Sequence, residues 1–139
     1  MIVGLGIDII EIDRIEEAIK DSGEEFIRRT FTDEEISYCE KETNKYQHYA
    51  VRIAAKEAVF KAIGTGWQNG VKWTDIEVKN DKLGKPIICL RGKVKLIADK
   101  LGVKNAIVTL SHCETHAIAQ VVLEGYKGVG NDWEDYKVK

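Results

Sequence analysis

YAVRIAAKEAVFKAIGTG, residues 49–66, is the stretch from which the rest of the chain is read. It is rich in alanine and other good helix formers, and it holds no glycine before Gly64, which supplies a left-handed stop. At ~100° per residue, Arg52 and Lys56 fall within ~40° of each other, and Glu57 and Lys61 do the same ~140–180° further round. Ala50, Ile53, Ala54, Val59, Phe60 and Ile63 cover much of the remaining surface. A surface helix gathers its charges on one broad face. Two narrow polar stripes on opposite sides therefore predict that one of them points inward, towards a cleft or a subunit contact. The plainer alternative makes Glu57 and Lys61 an i,i+4 ion pair worth ~0.2–0.5 kcal/mol.

Upstream, the β-branched run 2–10 reads as a buried strand interrupted by Asp8. Aspartate is disfavoured in strands and costly to bury without a partner. Asp8 therefore caps the next helix, sits at a strand end, or holds a metal. Gly4 and Gly6 leave room for close approach of another backbone or a ligand. Ile12, Ile15 and Ile19 mark a first helix ending near Gly23, followed by a short helical piece over 24–29. Thr32 and Glu35 form a capping box, with Phe31 and Ile36 as its hydrophobic staple, opening a helix that runs to about 43–44.

Downstream, Gly64, Gly66, Trp67, Asn69 and Gly70 lie in a loop. Ile76 and Val78 then alternate with charged neighbours, the turn cluster 80–86 follows, and 86–90 returns as the second strand of a hairpin. A helix over 93–101 stops at Gly102, and strands 106–110 and 117–123 meet around 111–116. The order is strand, three helices, hairpin, helix, hairpin. It predicts an α+β domain with an antiparallel sheet packed on the long central helix, not a doubly wound one. A single domain is expected over 1–124, with a flexible tail over 125–139 to which no function is assigned.

The 139 residues suit one domain with a real core. A hydrophobic fraction of 44% and a charged fraction of 32% fit a globular protein. The net charge of −2 argues against a general nucleic-acid binder. Cys39, Cys89 and Cys113 show no paired spacing, so reduced thiols and a cytoplasmic setting are expected. The apolar start carries acids by Asp8 and Glu11 and no basic leader, which reads as neither signal peptide nor membrane span.

Three places could carry chemistry: Asp8, Glu57 with Lys61, and Ser111-His112. Two carboxylates and one lysine suit a magnesium site that fills its shell with water and substrate phosphates, the lysine serving as a point charge. A zinc site of His112, Cys113 and His116 is disfavoured, because there is no second Cys pair and the pleat sends His112 and Cys113 to opposite faces. Adjacency of Ser111 and His112 in sequence is not geometry for a nucleophile and its base. The residues alone reach a magnesium–phosphate enzyme and no further.

GLGIDIIEIDRI (4–15), RIAAKEAVFKAIGTG (52–66) and VTLSHCETHAIAQVV (108–122), with the turn Gly84-Lys85-Pro86, together resemble the bacterial holo-acyl-carrier-protein synthases. The resemblance covers 1–124. It implies a 4′-phosphopantetheinyl transferase that moves the phosphopantetheine arm of coenzyme A onto a serine of apo acyl carrier protein, releasing adenosine 3′,5′-bisphosphate, for fatty acid biosynthesis. It implies magnesium on Asp8 and Glu57, with Lys61 stabilising charge on the leaving phosphate. Glu57 and Lys61 are the implied catalytic residues. Glu57 takes the serine proton directly or through a metal-bound water, and since a glutamate that holds the metal is a poor base, the water is the expected route. Arg52 and His112 match positions that contact coenzyme A phosphates, with Thr109 and Ser111 as further phosphate candidates. Arg14 matches the arginine that meets the acidic carrier protein, and Arg28 and Arg29 fall in the next basic cluster. The resemblance also implies a homotrimer in which the magnesium ligands and the His112 strand come from neighbouring chains. A small-molecule phosphatase and a non-catalytic coenzyme A binder stay open as rivals.

Overall fold

The computed structural model describes residues 1–64 and 70–126. In chain order its elements are β1 (Ile2–Glu11), α1 (Ile12–Thr30), α2 (Asp33–Glu40), α3 (Lys45–Ile63), a 3-10 turn at Trp73–Asp75, β2 (Ile76–Asn80), β3 (Pro86–Leu90), α4 (Gly92–Lys100), β4 (Val103–His112) and β5 (His116–Gly125). The class is α+β, as the order of elements predicts. The strands form two antiparallel sheets, one ordered β1-β5-β4 and the other the β2-β3 hairpin.

Local signals set most element ends. Thr32 caps α2: its Oγ1 accepts from the Glu35 amide, and Glu35 Oε1 accepts from the Thr32 amide in return. Gly64 closes α3 at φ 76°, with its N–H donating to the Phe60 carbonyl. Gly23, at φ 54° and ψ −134°, breaks α1 into the two helical pieces that the sequence predicts. Asp8 lies in the middle of β1 opposite Ala119, so it is neither a helix cap nor a strand end. Of the expected loop, 65–69 lies outside the described residues, as does 127–139 of the tail. Gly125, expected to begin that tail, is instead the last residue of β5, its N–H donating to the Met1 carbonyl at 2.9 Å.

Helix α3 lies against β1 and β5, and glycine lets it approach. A Cβ on Gly6 would stand 1.8 Å from the Ala58 carbonyl oxygen, and one on Gly4 would stand 2.3 Å from that of Ala62. The room left at these positions is filled by the backbone of α3. Ala54, Ala58, Val59, Val108, Ala119, Val121 and Leu123 form the core under the helix. Ile12, Ile15, Ile19, Phe31, Tyr49 and Ile53 form a second cluster where α1 and α2 close over its N-terminal half.

One expectation is corrected. β1 is not buried on both faces: Leu5, Ile7 and Ile9 are 57%, 55% and 63% exposed. Pairing puts them on one face with Ile118 and Val122 of β5 and Ile107 of β4. Among the described residues that face stays open, while α3 packs on the opposite one, over Gly4 and Gly6. Among the described residues no helix is long and apolar enough to cross a membrane.

Candidate active site

The two polar stripes of α3 part company in the fold. On one flank Lys61 turns towards β1, where its Nζ donates to Asp8 Oδ1 and to the Ile7 carbonyl, both at 3.0 Å. Its partner is thus across the gap between helix and strand, and the simple i,i+4 pair with Glu57 does not form among the described residues. Glu57 is half-buried beside them. Burial first, then the charge of Asp8, pushes its carboxyl above the usual range, and Lys61 offsets this in part. Two carboxylates sharing one lysine are under-compensated. A divalent cation with oxygen preference relieves that repulsion, and two carboxylates are as many as magnesium takes from many proteins. No third acid, histidine or cysteine joins them in a metal-like cluster among the described residues. The donor set therefore fits magnesium, with most of its shell left to water and phosphate oxygens.

The other stripe points inward. Lys56 is fully buried, and its three donors find three acceptors: Glu35 Oε1 at 2.7 Å, the Ile76 carbonyl at 2.6 Å and the Trp73 carbonyl at 3.1 Å. Burial pushes the Lys56 pKa down while Glu35 opposes it, and the complete hydrogen bonding favours the charged form. Glu35 Oε2 also accepts from the Val78 amide at 3.0 Å, so the capping-box glutamate clamps α2, α3 and β2 together. Glu77 is buried beside it. Hydrogen bonds from Thr32 and Arg91 hold its carboxyl below the usual range, outweighing burial. This pair is structural and was hidden in the sequence, where Glu35 shows only its capping role.

Arg52, one turn before Lys56, is also buried but borders a groove of about 310 Å³ lined by Glu34, Tyr38, Val78, Lys79 and Asn80. His48 is close by. Burial and the neighbouring positive charges of Arg52 and His112 hold its pKa down, against the pull of Glu42. Arg52 and His112 therefore share one corner of the molecule, and Asp8, Glu57 and Lys61 share another. Pairing puts His112 on the α3 side of the sheet, two strands over from Asp8 and two residues further along, or about 12 Å at normal strand spacing and rise. The helix lies between the two groups.

Thr109 and Ser111 pair with Gln120 and Ile118 and belong to the opposite, uncovered face of the sheet. Both are exposed, and the single chain does not bring them to Asp8. Arg14 is 76% exposed near the start of α1, with Glu11 at 3.7 Å. Arg28 and Arg29 border a separate cavity of about 580 Å³ with Val71, Lys72, Trp73 and Thr74. At the β4–β5 turn, Thr115 Oγ1 shares a hydrogen bond of 2.8 Å with His116 Nδ1, and Cys113 Sγ lies 3.5 Å from the same hydroxyl. That contact lowers the Cys113 pKa to about 7.

Residues 4–121 match the sequence profile of the 4′-phosphopantetheinyl transferase superfamily. The holo-[acyl-carrier-protein] synthase of Solibacter usitatus is 49% identical over 124 residues, covering 89% of this chain and 99% of the relative. Among solved structures, the holo-[acyl-carrier-protein] synthase of Neisseria meningitidis superposes with a TM-score of 0.81 at 34% identity, over 89% of this chain and 99% of that one. The Helicobacter pylori holo-[acyl-carrier-protein] synthase, solved in complex with coenzyme A, gives 0.77 at 31% identity over 86% and 99%.

Proposed function

Since the chain belongs to the 4′-phosphopantetheinyl transferase superfamily, and within it to the holo-[acyl-carrier-protein] synthases, we propose that it transfers 4′-phosphopantetheine from coenzyme A to a serine hydroxyl of apo acyl carrier protein. The serine oxygen bonds to the β-phosphorus of coenzyme A, the bond from that phosphorus to the bridging oxygen breaks, and adenosine 3′,5′-bisphosphate leaves. The serine proton passes to water. The observation that carries this reading is the meeting of Lys61 with Asp8 beside a half-buried Glu57, whose pKa is raised by burial and by the charge of Asp8.

Asp8 and Glu57 would hold magnesium, which when bound neutralises negative charge on the pyrophosphate. Lys61 is 54% exposed and held, among the described residues, by Asp8 and the Ile7 carbonyl of β1, so its ammonium can swing onto a phosphate oxygen. It then opposes the charge that grows on the departing phosphate. Glu57, engaged as a ligand, is not the proton acceptor.

A homotrimer explains why one chain presents two half-sites. Arg52 lies on the opposite flank of α3 from Glu57 and Lys61, and His112 stands two strands over from Asp8, so the two groups face different sides of the helix. The uncovered face carrying Leu5, Ile7, Ile9 and Ile107 is an exposed apolar patch of the kind that marks a protein contact. Packing copies through it would also cover Thr109 and Ser111 and lead the β4 edge of one chain towards the Asp8 corner of the next. In this arrangement Arg52, which a single-chain site would exclude, joins His112 in binding the coenzyme held by its neighbour. The exposed Arg14, with Arg28 and Arg29 further along α1, would meet the acidic carrier protein. A cytoplasmic role in fatty acid biosynthesis follows from that substrate.

The test is a mass measurement. Mixed with apo acyl carrier protein, coenzyme A and magnesium, the enzyme should add one phosphopantetheine to the carrier, and a chelator should stop it. Hydrolysis of coenzyme A with no mass gain on the carrier would replace this reading with a phosphatase.

A further inference from the structure

Arg52 is 3% exposed, yet every hydrogen-bond and ring partner it has among the described residues is neutral. Its Nη1 donates to the His48 carbonyl at 3.3 Å, its Nη2 donates to Asn80 Oδ1 at 3.0 Å, and the guanidinium sits 4.3 Å from the centroid of the Tyr38 ring. Nε has no hydrogen-bond partner. The one carboxylate lining the groove, Glu34, is taken by Lys79 at 3.3 Å. A buried cation without a counter-ion is costly, unlike Lys56 four residues on, which has Glu35. Among the described residues the groove is therefore one negative charge short.

Asn80 is the side chain that holds this arrangement. Its Oδ1 accepts from Arg52, and its Nδ2 donates to the Gly84 carbonyl at 3.0 Å. Gly84 belongs to the β2–β3 turn, which Asp81 Oδ1 braces by accepting from the Leu83 amide at 2.8 Å and the Lys85 amide at 2.9 Å. Arginine can only donate and a carbonyl can only accept, so the position needs one acceptor and one donor on a short planar group. Lysine would repel Arg52. Aspartate would neutralise it and lose the Gly84 bond.

We propose that Asn80 is a positioning residue for coenzyme binding: it fixes the Arg52 guanidinium against the braced hairpin turn while leaving its charge for a phosphate of the coenzyme. This rests on the reading of Arg52 as a coenzyme A contact. The phosphate completes the ion pair that the fold leaves open.

The full-length enzyme tests it through steady-state kinetics on Asn80→Asp, Asn80→Ala and Arg52→Gln, with thermal melts alongside. Asn80→Asp should raise KM for coenzyme A about tenfold or more while kcat falls less than about twofold and KM for the carrier is unchanged. The inhibition constant of adenosine 3′,5′-bisphosphate should rise in step. Asn80→Ala should show the same pattern more weakly, since it frees Arg52 without neutralising it. A merely structural Asn80 would lower the melting temperature and the active fraction but leave KM and the inhibition constant alone, and that result overturns the proposal. If Arg52→Gln raises KM for coenzyme A and neither Asn80 variant does, Asn80 is dismissed and Arg52 stands. If Arg52→Gln also leaves KM unchanged, the reading of Arg52 falls and the proposal with it. Should Asn80→Asp fail to fold, an unchanged KM in Asn80→Ala is enough to overturn it.

Discussion

Lys61 on α3 and Asp8 on β1 are 53 residues apart in sequence and 3.0 Å apart in space, and Lys61 makes this bond in preference to Glu57 one turn back on its own helix. The pair ties helix to strand at the point where the proposed chemistry occurs. Only the Lys61 end is open to solvent, 54% exposed against 16% for Asp8, and that screening keeps the pair weak enough for Lys61 to leave Asp8 for a phosphate.

Replacing Lys61 by Met should therefore lower kcat for carrier modification by about 10²–10³, the loss seen when a charge-stabilising donor is removed. The melting temperature should hardly change. Lys61→Met with wild-type kcat would remove Lys61 from the reaction.

Glu57 makes metal binding pH-dependent. Its pKa is raised by burial and by Asp8, so protons compete with the metal for this carboxylate to a higher pH than for an ordinary one. Magnesium affinity, measured by calorimetry, should rise with pH through that raised value and level off above it. The sign for stability is opposite. Between the ordinary carboxylate range and the raised value, the native chain holds a proton that the unfolded chain has lost, so metal-free stability falls as pH climbs through the window. Glu57→Gln should flatten both profiles, and a profile that keeps its slope would mean another group is titrating.

Lys56→Met should destabilise the protein by about 3–5 kcal/mol in urea unfolding, because it leaves the Glu35 carboxylate buried with its main counter-charge gone. A loss below about 1 kcal/mol, the scale of an exposed pair, would show that the cavity admits water.

Gly6→Ala should be damaging out of proportion to one methyl group. The added Cβ meets a backbone oxygen at 1.8 Å, and no rotamer change can relieve it. A loss at or beyond the usual ~1–3 kcal/mol of overpacking is expected, read from denaturant midpoints. A neutral Gly6→Ala would mean that α3 does not lie this close to β1.

Ile9→Glu places a charge on the uncovered sheet face, 63% exposed in the single chain. Circular dichroism should stay native while light scattering reports a monomer, and transfer activity should collapse because the two half-sites separate. An active monomer would refute the shared site.

The legible features were those decided within a few residues. The capping box at Thr32 and Glu35, the left-handed stop at Gly64 and the break at Gly23 all depend on backbone groups within one turn, and the sequence places each correctly. That Arg52 shares a flank of the helix with Lys56, and Glu57 with Lys61, followed from helix geometry alone. Which stripe would be sealed in the core did not, because that depends on where α2 and β2 come to rest. Nor could Asn80 be tied to Arg52, 28 residues earlier, since the bond exists only once the hairpin has docked on α3.

By itself, then, the sequence determined the order of the elements, the helix breaks at Gly23 and Gly64, the two charged stripes, and through three motifs the family. Helix α2 ends at Glu40, short of the expected 43–44, and β4 and β5 run longer than expected. Tertiary structure decided that Asp8 stands in mid-strand facing Lys61, that Glu35 neutralises Lys56, and that one face of the sheet is left bare. The reason is physical: caps and helical stripes are set by short-range hydrogen bonds and a fixed turn angle. Partners across a sheet or between layers are chosen by strand register and packing, to which residues far apart in the chain contribute together.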